Sequence, residues 1–386
     1  MSRIAFAVVV ALVAAMDARG DDPAVKQAAY RATIDGARGA AIFQTEPFDL
    51  TYVPRPIADI QAITAFRPAA VFAHPAFRDT VRSANQEFTE MFKAVLGAEA
   101  TGPGIEEIEW LIFCGHATTG YDPKKKEHPY SMQVGGSGLI VRTTRRYDWA
   151  AAVRKWAPCE SAGHRGRKYL TTPYENIPIM QALMAKAHKE FDEKIEWNRL
   201  AFFIPDSRTL VIENEKYIRR LIDRLADGKT QAPPPGWDKV SRGIFAIAID
   251  NRKKEWSKYL FANEEPTGAA KSHPGRKLFA NASYLTVGLD VGPVSRLTLV
   301  GVAPDRFAAK QARLGCSGAR QWFAALPDAD ASKKTPSEEA FAKLWKSFFL
   351  DGRMKPTPLG FEYVGAVRED LFRWIAPLAK HRSPPS

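Results

Sequence analysis

Cysteine is scarce in this chain: three residues, Cys114, Cys159 and Cys316, among 386. That count excludes a small scaffold held together by dense disulfides. Long apolar runs are missing too. No segment reaches the roughly 18 uninterrupted apolar residues of a membrane-crossing helix. The chain also lacks a nucleophile elbow, a helix-opening phosphate loop and the spacing of a structural zinc module, so no motif names a reaction.

The composition is ordinary and globular, with 45% hydrophobic, 11% aromatic and 25% charged residues. Disordered, collagen-like and polytopic membrane proteins are excluded on that ground. At roughly 100–200 residues per domain, the length allows about two domains.

The clearest signal is at the N-terminus. Arg3 precedes the apolar run Ile4–Ala15, and Ala18-Arg19-Gly20 supplies small residues where a leader is cut. This is the anatomy of a signal peptide over residues 1–20, with cleavage after Gly20. As a helix the run rises only about 18 Å, against a hydrocarbon core of ~30 Å. The sequence therefore predicts an exported protein, periplasmic or extracellular, with no transmembrane segment after cleavage.

Lysine and arginine number 55 against 43 acids, a formal net charge of +12. Such a chain is drawn to anionic surfaces by screened Coulomb attraction. Its basic residues are not pooled, however: Lys124-Lys125-Lys126, Arg142-Arg145-Arg146, Arg165-Arg167-Lys168 and Arg252-Lys253-Lys254 are separated by acids. Solvated faces account for most of them. Arg142, Arg145, Arg146, Arg165, Arg167 and Lys168 form the candidate patch for an anionic polymer. No specific nucleic-acid reading follows.

After a flexible segment over 21–47, a first half spans 48–231, a proline-rich linker 232–237, a second half 238–380 and a tail 381–386. Within the first half, Ile60–Phe66, Ile105–Cys114 and Gly138–Arg142 read as strands and Phe77–Leu96 as a helix. Asp148 is expected to cap a helix running through Trp156. Leu200–Ile204 and Thr209–Ile212 form the best hairpin, because Pro205 presets one turn dihedral and Asp206 bonds the backbone beyond it. Glu215–Ala226 is an amphipathic helix with Ile218, Leu221, Ile222 and Leu225 on one stripe.

In the second half, Ile244–Ile249, Tyr284–Val291, Arg296–Val302 and Phe361–Val367 read as strands. Trp256–Phe261, Pro304–Arg313, Glu338–Leu350 and Glu369–Leu378 read as helices. A short strand, one or two polar residues and a helix recur along the chain. The expected fold is α+β, with two related halves, each an antiparallel or mixed sheet with helices mainly on one face. A doubly wound parallel sheet is the alternative, disfavoured because neighbouring strands lack a crossover helix.

Cys114, His116, Cys159 and His164 offer two thiols and two imidazoles, the ligand types zinc prefers. No cofactor is predicted from them, and zinc stays an alternative. Cys114 and Cys159 could instead pair in an oxidising compartment, or all three cysteines sit unpaired in the core. Cys316, in the turn-like Gly315-Cys316-Ser317-Gly318, is a candidate nucleophile only if a histidine approaches it. Gly135-Gly136-Ser137-Gly138 reads as a flexible hairpin connection. Glu106, Glu107 and Glu109 read as solvent-facing carboxylates, and Trp149, Tyr169 and Tyr174 as core and rim aromatics.

The stretch Thr51–Phe77, a proline-containing segment and a strand ending in Arg-Pro-Ala, resembles the opening of secreted, uncharacterised proteins of planctomycete-type bacteria. Leu200–Glu213 resembles their later strand-turn-strand segment. The resemblance implies export and an α+β build, and it carries over no catalytic residue.

Three functions are expected from these features. The first is an exported, non-enzymatic protein that binds or organises an envelope component. The second is an exported hydrolase dependent on a metal or on cysteine. The third binds a polyanion electrostatically.

Overall fold

The computed structural model describes residues 46–74, 86, 89, 102–121, 130–177, 199–254, 256, 274–291, 294–325 and 346–367. The leader, nearly all of the Phe77–Leu96 helix, Lys124–Lys126, the Glu369–Leu378 helix and most of Trp256–Phe261 and Glu338–Leu350 lie outside these residues.

Among the described residues the first half supplies seven strands: β1 Ala62–Phe66, β2 Ile108–Tyr121, β3 Tyr130–Thr143, β4 Glu160–His164, β5 Arg167–Pro173, β6 Arg199–Asp206 and β7 Thr209–Asn214. The second supplies five: β8 Phe245–Asp250, β9 Tyr284–Asp290, β10 Ser295–Val302, β11 Arg353–Thr357 and β12 Gly360–Val367. All twelve join one sheet in the order β11-β12-β10-β9-β8-β1-β2-β3-β7-β6-β5-β4.

Every pairing is antiparallel, so the fold is α+β and contains no doubly wound parallel sheet among the described strands. The halves meet where β1 pairs with β8, from Ala62 opposite Ile249 to Phe66 opposite Phe245. Two separate sheets are therefore not what forms. An edge strand of either half would leave its backbone groups unpaired, and pairing β1 with β8 satisfies both. The 232–237 stretch lies against this sheet: Pro234 is buried, and the Pro235 carbonyl accepts a 2.8 Å hydrogen bond from the Thr286 hydroxyl.

Alternation along the strands divides the core between the two faces. On β2, Leu111 faces one side with Val141, Phe202 and Leu210, while Ile112 and Cys114 face the other with Ile140, Phe203 and Val211. The first face is covered by α1 (Pro68–Phe72) and α2 (Trp149–Trp156), and in the second half by α5 (Pro274–Asn281) and α6 (Arg306–Ala325). The opposite face carries α3 (Glu215–Ala226) and α4 (Trp237–Val240). Helices thus favour one face without being confined to it.

Local chemistry starts α2 and α3 where expected. The Asp148 carboxylate accepts from the Ala151 amide at 3.0 Å to open α2, and the Asn214 side chain accepts from the Lys216 amide at 2.9 Å to open α3. Each such cap satisfies an amide that would otherwise lack a partner in the first turn. Ile218, Leu221 and Ile222 then bury the expected stripe.

Two glycine-rich stretches depart from their expected form. Residues 135–138 lie inside β3, where Gly138 pairs with Cys114, rather than in a hairpin connection. Gly315-Cys316-Ser317-Gly318 lies inside α6, not in an exposed turn. The reason is tertiary: a side chain at Gly315 would meet the Leu278 amide of α5 at 2.3 Å, so glycine is there for helix approach. Gly315→Ala is accordingly expected to destabilise the fold by about 2–3 kcal/mol through overpacking, although alanine is the better helix former. Urea unfolding checks this, and a stabilised variant would contradict it.

Candidate functional site

The candidate site is a polar cleft of about 260 Å³ at one end of the sheet, lined in part by Asp49, Tyr52, Arg67, Glu109, Arg142 and Arg208. Its walls come from the end of β1, the start of β2, the end of β3 and the β6–β7 turn. The N-terminal segment 46–52 closes over them.

A bulge builds the centre. The register between β2 and β3 slips between Ile108 and Trp110, leaving Glu109 without an opposite residue. Such an extra residue re-aims a side chain. Glu109 therefore meets Arg142, whose Nε donates to Glu109 Oε2 at 3.2 Å, and Arg208, whose Nη2 donates to the same oxygen. Arg142 Nη1 also donates to the Thr209 hydroxyl at 2.8 Å and to Asp206 Oδ2 at 3.3 Å.

The β6–β7 turn holds its own part of the network. Asp206 Oδ1 accepts from the Arg208 amide at 2.7 Å, the turn chemistry expected from Pro205-Asp206-Ser207-Arg208. Asp206 Oδ2 accepts from the Thr209 hydroxyl at 3.0 Å, and Arg208 Nε donates to the Thr143 carbonyl at 2.8 Å.

Arg67 belongs to the scaffold of the cleft. It is 3% exposed and donates to the carbonyls of Gly243 at 3.1 Å and Ser241 at 3.2 Å, and to that of Glu46. Its guanidinium stands 4.0 Å from the centre of the Phe48 ring. Burial lowers its pKa to about 10, because desolvation penalises the charged form. The Tyr52 phenol is pushed up, first by burial and then by the negative charges of Asp206 and Asp49, while Arg142 and Arg167 pull the other way. Tyr52 thus faces charge of both signs.

The residues singled out from sequence are scattered. Cys114 is on β2 and His164 on β4, with four strands between them in the sheet order, about 24 Å at one strand spacing per step. Cys159 directly precedes β4 and packs against the opposite face from Cys114. Zinc ligands must converge to about 2.0–2.3 Å from one ion, so Cys114, Cys159 and His164 form no zinc set. The His116 side chain lies outside the described residues. No group of three or more His, Cys, Asp or Glu that could hold a metal occurs among the described residues.

The same separation leaves Cys114 and Cys159 unbridged, and all three cysteines are free. Burial pushes every thiol up: Cys114 strongly, Cys159 to about 11 and Cys316 to about 12. Few thiolates form near neutrality, which disfavours these cysteines as nucleophiles. His164 Nε2 instead meets Asp223 Oδ1 at 2.7 Å, joining the β4–β5 turn to α3.

The six basic residues of the candidate patch are also divided. Arg142 pairs with Glu109 and Asp206, Arg145 with Glu107, and Arg165 with Asp223 and Asp227. Arg146, Arg167 and Lys168 are exposed. Glu109 reverses the expectation of a purely solvated carboxylate, for it bridges two arginines at the centre of the cleft. No residue pattern in the sequence announces a bulge. Trp149, Tyr169 and Tyr174 are buried, as core aromatics should be.

No helix among the described residues is long and apolar enough to cross a membrane. No family model and no curated protein matches the chain. Among solved structures it is similar to one described as "Structure of crystal form I of TP0453", at 11% identity and a TM-score of 0.35, over 87% of this chain and 98% of that one. So distant a likeness carries neither fold nor function across.

Proposed function

We propose that this chain is an exported binding protein of the bacterial envelope, and that the cleft holds its ligand. The ligand class is a small polar molecule bearing groups of both charge signs, such as an amino acid or a short peptide. One observation carries this reading: Arg142 and Arg208 interleave with Glu109 and Asp206 in one partly exposed cleft. A ligand carboxylate can take the place of a protein carboxylate on the paired guanidiniums, and a ligand ammonium can then meet the acid released. Exchanging one ion pair for another avoids leaving a charge unpaired, the costly outcome in a partly desolvated site. The cleft is slightly below the usual range of about 300–1,000 Å³, which suits a ligand of amino-acid size.

Export rests on the leader and on the resemblance drawn from Thr51–Phe77. Relatedness of the halves is part of the same proposal. It is supported by parallel strand orders, β1-β2-β3-β7-β6 in one half and β8-β9-β10-β12-β11 in the other, with β5-β4 as an addition.

Calorimetric titration with free amino acids, dipeptides and neutral hexoses tests the binding site. Doubly charged ligands are expected to bind, and Arg142→Gln to weaken them at least about tenfold, the worth of one charge-assisted hydrogen bond. Equal binding of the neutral sugars, or indifference to Arg142→Gln, would refute the assignment. A polyanion-binding surface, the second reading, retains the exposed Arg146, Arg167 and Lys168. It would show as binding of an anionic polymer that weakens steeply with salt.

A further inference from the structure

Among the described residues the sheet has two terminal strands, β11 and β4, and they are not alike. On β11, Pro356 has no amide hydrogen to offer and Arg353 and Lys355 are exposed, the residue types that keep an edge from pairing. On β4 the sequence is Glu-Ser-Ala-Gly-His, with no proline and no lysine, and Glu160, Ser161 and Gly163 are exposed. We infer that β4 is a self-association edge at which two copies of this chain pair antiparallel to continue the sheet.

The β4–β5 turn determines which backbone groups point outward. Arg165 and Gly166 both have positive φ, +46° and +76°, the signature of a two-residue type I′ turn. Such a turn closes on a pair that exchanges both backbone hydrogen bonds, here His164 with Arg167. Alternation repeats that pattern at Ala162 with Tyr169 and at Glu160 with Thr171. Ser161 and Gly163 are left with their N–H and C=O groups toward the open edge.

Those groups suit a second copy. With a twofold axis at Ala162, Ser161 faces Gly163 of the partner subunit, and both residues have outward donors and acceptors. The same register sets Glu160 opposite His164 of the partner subunit, with Arg165 of the partner subunit adjoining. A carboxylate then meets basic residues at both ends of the paired segment, joining the acids they already hold within their own chain, Asp223 on His164 and Asp223 and Asp227 on Arg165. Shifting the register by two residues either way loses one of the two bonded pairs and this charge match. The small side chains of Ser161, Ala162 and Gly163 let the second strand approach at normal spacing. Within the chain, Glu160 already accepts from Arg199 at 2.8 Å, but it is 75% exposed and free to serve a second base. Five residues make a small interface, so association depends on concentration.

Sedimentation equilibrium of the full chain from about 10 μM to about 1 mM tests the proposal, with hydrogen exchange followed at the Ser161 and Gly163 amides. The expected result is a monomer–dimer equilibrium in which these two amides become more protected as concentration rises. Gly163→Pro removes an outward donor without touching the β4–β5 ladder and should weaken the dimer about tenfold or more. If that variant does not fold, Glu160→Lys decides the matter, since it sets like charges opposite each other and should also weaken association. A chain that stays monomeric throughout, a dimer unchanged by the substitution in a folded variant, or amides whose exchange ignores concentration would overturn the proposal.

Discussion

Arg55→Ala is expected to be the most damaging single substitution, costing about 3–5 kcal/mol. Glu213, on β7, is only 2% exposed at its side chain, and Arg55 beside it is 11% exposed. Arg55 Nε donates to Glu213 Oε2 at 3.1 Å and Nη2 donates to Oε1 at 3.3 Å, a two-point contact between planar groups. The Glu213 carboxylate also accepts from the Asn214 amide at 2.9 Å, and the Arg55 guanidinium lies 3.8 Å from the centre of the Tyr217 ring.

Without Arg55, a carboxylate is left in the core with one amide for company, and its lost hydration is not replaced. The pair is not thereby strongly stabilising, because two ions had to be desolvated to make it. Arg55→Met combined with Glu213→Leu should therefore recover most of what either single change loses. A double-mutant cycle by urea unfolding measures this. Single losses below about 1 kcal/mol, or additive losses in the double variant, would show that the pair is solvated and unimportant.

Arg67→Ala ranks second, at about 3 kcal/mol or more. The guanidinium ties segment 46–48 to the 241–243 turn through the carbonyls of Glu46, Ser241 and Gly243. The backbone reinforces the same joint, since the Phe48 amide donates to Ser241 and the Arg67 amide to Ile244, both at 2.9 Å. Truncation takes the side-chain donor from the Gly243 and Glu46 carbonyls, leaves Ser241 with the Phe48 amide alone and removes the cation from the Phe48 ring; each unsatisfied buried acceptor costs about 1–3 kcal/mol. Arg67→Lys should recover only part of the loss, because an ammonium is a point charge and cannot span carbonyls that a planar fork reaches together. The midpoint of urea unfolding should fall with the slope unchanged. If lysine restored full stability, charge alone would be the requirement and the fork geometry would be irrelevant.

Both residues were within view in the sequence, and neither role was legible there. Arg55 lies between two prolines and its partner is 158 residues away. Arg67 precedes Pro68 at the end of a strand, while its acceptors at 241–243 are more than 170 residues distant. Glu109 looked like one of several carboxylates at a strand start until the bulge turned it toward Arg142 and Arg208. Strands β4, β5 and β11 went unread because their exposed, polar or proline-bearing sequences show no clean alternation. Their pairing comes from the neighbour each one meets in the sheet.

The sequence by itself determined what depends on residues a few positions apart: the Asp148 cap, the Asp206 turn, the apolar stripe of α3 and the α+β character. Those features rest on local torsional preferences and short-range hydrogen bonds. Only the tertiary structure decided that both halves share one sheet, that Cys114 and Cys159 stand apart, that Gly315 serves a helix crossing and that acids and arginines converge in one cleft. Each of these depends on which distant strands and helices come to lie side by side, and that choice is made by burial and backbone pairing summed over the whole fold rather than by any local pattern.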